Sequence, residues 1–154
     1  MGASGWSYSV PWRPDPAAAL RELHERVFAD GDYWWAEGGY WVNNDDVPAE
    51  KRAGVPPPAT LAELIAAEAV AYDGTHSILD VARMLRPGEE PQPCTVELVT
   101  AEEAHRVAGT GRLTREHLDV LDGLLRGRWM GRCVVLHDAE GNPAELHFFG
   151  YSGD

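Results

Sequence analysis

The sequence predicts a single α+β domain in which an antiparallel sheet carries about four to five helices on one face. Three observations lead there. Arg132–His137 and Ala144–Phe149 are β-prone runs on either side of Asp138-Ala139-Glu140-Gly141-Asn142-Pro143, a loop of turn formers, so the chain ends in a hairpin. Upstream, apolar residues recur at helical spacing behind recognisable caps. Finally, 154 residues of ordinary apolar content suffice for one core, and no repeat or low-complexity tract divides them.

Trp6 to Val10 alternates large and small residues before Pro11 and reads as a first strand. Asp15 then caps a helix with Pro16 at its first position, where the missing N–H costs nothing. Leu20, Leu23, Val27 and Phe28 share its inner face, and Gly31 stops it. From Asp32 to Pro58 the chain makes a long aromatic and proline-rich excursion, with a short strand expected near Tyr40–Val42. Thr60 and Glu63 form a capping box for a second helix whose face is Leu61, Leu64, Ile65, Ala69 and Tyr72, ended by Gly74. Thr75 or Ser77 opens a third helical segment with Ile78, Ala82 and Leu85 inward, stopped by Pro87. Cys94–Val99 alternates as a strand. Thr100 with Glu103 opens a short helix to Ala108, and Thr114 caps another carrying Leu118, Leu121, Leu124 and Leu125.

A formal charge of −12 speaks against unaided binding to nucleic acid or to an anionic membrane. It leaves a basic protein partner, or a solubilising surface. No apolar run approaches the roughly 18–20 residues that span a bilayer, and Met1–Gly5 lacks a basic leader, so a cytoplasmic location is expected. In that setting Cys94 and Cys133 are reduced thiols. The sequence holds no phosphate-binding loop, dinucleotide fingerprint, nucleophile elbow, Cys-x-x-Cys or His-Glu-x-x-His. Neither a cofactor nor a metal is expected, because the remaining histidines lack ligand spacing.

Two stretches carry chemistry. In Asp73-Gly74-Thr75-His76-Ser77-Ile78-Leu79-Asp80 a histidine stands between two carboxylates, and Asp73 or Asp80 is the expected orienting partner if His76 is a base. The same residues are ordinary turn and cap formers. The second is aromatic: nine of fourteen aromatic residues fall within the first 41 positions. Tyr33, Trp34, Trp35, Tyr40 and Trp41, with Asp45 and Asp46 beside them, are the candidate contact surface. Trp34 and Trp35 are adjacent, so both are not expected to point inward. Arg126, Arg128 and Arg132 form a basic cluster that either binds an anion or pairs with local acids.

Gly5-Trp6-Ser7-Tyr8-Ser9-Val10-Pro11, the central Asp73–Asp80 stretch and Phe148-Phe149-Gly150-Tyr151-Ser152-Gly153-Asp154 together resemble a family of small, uncharacterised bacterial proteins of similar length. The resemblance implies a bacterial single-domain protein and brings no activity with it. The leading expectation is therefore a non-enzymatic, acidic binding protein that acts on a protein partner in the manner of an immunity protein or inhibitor. The alternative is a small enzyme or sensor with a pocket around His76 and Asp73. A homodimer joined through the aromatic segment is a third.

Overall fold

The C-terminal hairpin lies at the centre of the sheet. In the computed structural model, which describes residues 3–154, β6 (Met130–His137) pairs antiparallel with β7 (Pro143–Tyr151). Val134 faces His147 as the alternation requires, and a bulge between Leu136 and His137 then shifts His137 opposite Pro143. β1 (Gly5–Pro11) adds antiparallel to the outer side of β7. On the other side, β5 (Thr95–Leu98) and β4 (Arg83–Met84) both run parallel, giving the order β1-β7-β6-β5-β4. The fold is α+β as predicted, but the sheet is mixed rather than wholly antiparallel. A parallel pair needs a long crossover, and residues 99–129 supply one between β5 and β6.

Helices cover both faces of this sheet, not one. Strand side chains alternate, so Cys133 and Phe148 point one way while Val134, Leu136 and Phe149 point the other. The first side packs on α1 (Pro16–Ala29) through Leu20, Leu23 and Val27. The second packs on α5 (Ala101–Ala108) and on a 3₁₀ stretch, Arg115–Leu124, through Ala104, Leu121 and Leu124. That stretch was expected as an α-helix. Its Thr114 N–H donates to His117 Nδ1 at 3.0 Å.

The aromatic excursion is folded onto the core. Trp34–Trp35 and Tyr40–Trp41 pair as β2 and β3, followed by a short α2, Ala49–Gly54. Tyr40 Oη (2.7 Å) and Trp35 Nε1 (3.2 Å) both donate to the Val55 carbonyl, anchoring the end of the loop.

Two local departures from the sequence reading frame the site. The second helix breaks at Ala67 (ψ 130°) into α3, Leu61–Ala66, and α4, Glu68–Asp73. Leu64 and Val70, six positions apart, would lie on different sides of a continuous helix. The break buries both and leaves Ile65 and Tyr72 exposed. Beyond Gly74 a 3₁₀ turn, Ile78–Asp80, replaces the third helix, because the following residues join the sheet edge as β4: Ala82 N donates to Cys94 O and Leu85 N to Val96 O, each at 2.7 Å. Among the described residues no helix is long and apolar enough to cross a membrane. Met1 and Gly2, part of the stretch read as lacking a leader, lie outside the described residues.

Candidate functional site

Gly74 ends α4 at φ 72°, ψ −176°, a conformation suited to glycine, and turns the chain inward. The next residues are buried around one carboxylate. Asp80 Oδ1 accepts from Thr75 N (2.6 Å) and Thr75 Oγ1 (2.8 Å), and Oδ2 accepts from Ser152 Oγ (2.7 Å). Since Thr75 Oγ1 gives its only proton to Asp80, the 2.8 Å contact with Ser77 runs from the Ser77 hydroxyl to Thr75. Burial pushes the Asp80 carboxyl above its ordinary value, while the bonds from Ser152 and Thr75 oppose that shift. This polar knot ties the central turn to the tail after β7.

His76 rises from the knot at φ 56°, in the left-handed region. Its ring lies 5.8 Å from Trp34 and meets Trp41 edge to face at 6.3 Å, while the two indoles are 6.4 Å apart. Nδ1 is 3.1 Å from Ser4 Oγ, and Ser4 binds Asp154 through both its N–H (3.0 Å) and its hydroxyl (2.7 Å). The hydroxyl proton goes to the carboxylate, so His76 Nδ1 must be the donor to Ser4. Ser4 is therefore a bridge and not an activated nucleophile. His76 Nε2 lies 4.0 Å from Asp154 Oδ2. For Asp154, partial burial raises the carboxyl, but the Ser4 bonds and His76 outweigh it and hold it below its ordinary value.

The predicted catalytic set is thus not assembled. Asp73 is exposed at the end of α4 and bonds to nothing in the cluster, and Asp80 faces Thr75 and Ser152. The carboxylate that reaches His76 is Asp154, acting with Ser4; neither was singled out from the sequence, although Asp154 ends the quoted C-terminal stretch.

The predicted contact surface divides. Tyr33, Trp35 and Tyr40 are core residues, 2–3 % exposed. Trp34 is half-buried and Trp41 is exposed, as alternation along a strand dictates. Asp45 and Asp46 are exposed in the turn after β3. No family model, curated protein or solved structure matches this chain.

Elsewhere the polar groups serve the fold. Arg126 and Arg132 of the basic cluster pair with Glu97 and Glu103. Ser9 and His147, cross-strand neighbours on β1 and β7, bond at 2.7 Å. Both cysteines are free: burial pushes the Cys133 thiol up to about 12, and Cys94 is exposed. Among the described residues no group of three or more His, Cys, Asp or Glu side chains is placed to hold a metal ion.

Proposed function

We propose that this is an acidic binding protein, without catalysis of its own, that grips a basic protein partner through Trp34, Trp41 and His76. The observation that carries this reading is the contact of those three rings at the surface, with Asp154 beside them, on a chain of net charge −12. Indole faces attract ammonium and guanidinium groups, and a nearby carboxylate completes a receptor for one cationic side chain. Asp45 and Asp46 widen the acidic field and steer a basic partner. Masking of a basic toxin or enzyme in the manner of an immunity protein or inhibitor fits this chemistry.

Affinity capture from cell lysate should retain one basic protein at low ionic strength and release it at high salt. Trp41→Ala should weaken that complex about tenfold or more, the effect of removing an aromatic anchor. Trp41 is 36 % exposed and touches Trp34 and His76, so its removal should also lower stability by about 1 kcal/mol in urea unfolding, which leaves the protein folded for the binding comparison. An unchanged affinity in Trp41→Ala would exclude this surface. Self-association through the same patch would appear instead as a concentration-dependent sedimentation coefficient. The reading as an enzyme or sensor built on His76 and Asp73 has less support, because Asp73 stands apart from the imidazole.

A further inference from the structure

On the other side of the Asp80 knot lies a cleft of about 400 Å³. Ile65, Leu79, Pro93 and Trp129 contribute its apolar walls, and Asp80 and Cys94 are its polar members. The volume falls in the range of small-molecule sites and is too small for a docked helix. The backbone here is strained. Among the described residues three non-glycines have positive φ, His76 (56°), Cys94 (63°) and Trp129 (61°), and two of them line this cleft. Such a backbone conformation persists only where the surroundings enforce it. Cys94 N donates to Trp129 O at 2.6 Å, and Trp129 N to Tyr151 O at 3.1 Å, so the strained pair is tied to the sheet.

The hydrogen-bond inventory indicates what the cleft would take. Among the described residues, Oδ1 of Asp80 is saturated by two Thr75 donors, whereas Oδ2 accepts from Ser152 alone. One acceptor position remains on a carboxyl group that is otherwise shielded from water. Among the described residues nothing cationic lines the cleft, so an anion would meet apolar walls and a carboxyl group. We propose that this cleft binds a small, uncharged, mainly apolar molecule with one hydroxyl group, anchored by that hydroxyl on Asp80. The site is separate from the aromatic patch and does not depend on it.

Cys94 makes the proposal measurable. It is the exposed thiol of the two, and Cys133 is fully buried. The full chain is alkylated with iodoacetamide near neutral pH over an extended incubation, where 2-naphthol keeps its hydroxyl proton, and modification of Cys94 is followed by mass spectrometry with and without 2-naphthol. Saturable protection of about tenfold is expected. Its isostere 2-methylnaphthalene, which lacks the donor, should protect much less. Ala82→Trp places an indole on the exposed cleft wall, leaving the backbone bond from Ala82 N to Cys94 intact. It should abolish 2-naphthol binding by calorimetry while the thermal unfolding midpoint is retained. No saturable protection by 2-naphthol would overturn the proposal, and equal protection by both probes would overturn the role of Asp80. Protection that follows protein concentration instead of probe would assign the cleft to a second copy of the chain, and would also overturn it.

Discussion

Glu103→Gln should lower the unfolding free energy by about 3 kcal/mol at neutral pH. Arg132 points from β6 into the second core with only 2 % of its side chain exposed, and its guanidinium needs both hydrogen bonds and counter-charge there. It donates to Leu124 O at 2.8 Å and to Glu103 Oε2 at 2.6 Å, and Glu97 lies farther off at 3.7 Å. Breaking one side of such a pair costs about 3–5 kcal/mol, and the remaining Glu97 places the loss near the lower end. Glutamine separates charge from geometry. Glu103 also closes the capping box of α5, accepting from Thr100 N at 2.9 Å, and glutamine can keep that bond. Glu103→Ala should therefore cost more, because it removes cap and counter-charge together. The pH dependence carries the same signature. Partial burial raises the Glu103 carboxyl, but the bonds from Arg132 and Thr100 outweigh it, so its folded-state pKa lies below the ordinary value. A depressed pKa stabilises the fold fully above the unfolded-state value of about 4.3 and progressively less as pH falls through the folded value. Urea unfolding at neutral pH and in acid should show that part of the acid sensitivity gone in Glu103→Gln. A loss below about 1 kcal/mol at neutral pH would mean that Arg132 is held by the backbone carbonyls and Glu97 alone.

What the sequence disclosed was local. Asp15 and Pro16 mark the start of α1, and the Thr60–Glu63 and Thr100–Glu103 boxes form as read, because each depends on residues three positions apart. The hairpin was equally legible. Its two-sided burial was also written in the chain: Cys133-Val134-Val135-Leu136 is a continuous apolar run, the mark of a strand covered on both faces, and a one-sided sheet does not require it. The parallel strands were harder, since β4 is two residues long and is recruited from a segment with helical spacing by the edge of β5. In the site, His76 announced itself, but its partners did not. Ser4 lies 72 positions away from it in the chain, and Ser4 meets Asp154 across 150 positions. Only the pairing of β1 with β7 brings those termini beside the central turn. The aromatic cluster was visible as composition. Which indole faced outward depended on strand phase, and Trp35 took the core while Trp34 did not.

Gly74→Ala should cost about 3 kcal/mol and impair both proposed sites at once. Its φ of 72° with ψ near 180° belongs to a region that residues with a Cβ scarcely populate, at a cost on the order of 1–3 kcal/mol. A Cβ there would also lie 2.6 Å from Ser152 Oγ and 2.8 Å from Asp80 Oδ2, so the side chains around it must move. They have little room. Asp80 is fixed by two bonds from Thr75, and overpacking a buried site of this kind costs about 1–3 kcal/mol more. The contact that yields first should be the one from Ser152 to Asp80, because Ser152 sits on the tail that follows β7. That tail carries Asp154 to Ser4 and His76, while Asp80 lines the apolar cleft. Loss of the Ser152 bond therefore reaches the aromatic patch through Asp154 and the cleft through Asp80. Asp73→Ala, one residue earlier, exposed and outside the network, should change stability by less than about 0.5 kcal/mol. Trp41→Ala and Ala82→Trp should each disable one site and spare the other. If Gly74→Ala instead destabilises the fold yet leaves Cys94 protection and partner capture unchanged in the folded fraction, the Asp80 knot is a structural tie and does not link the two sites.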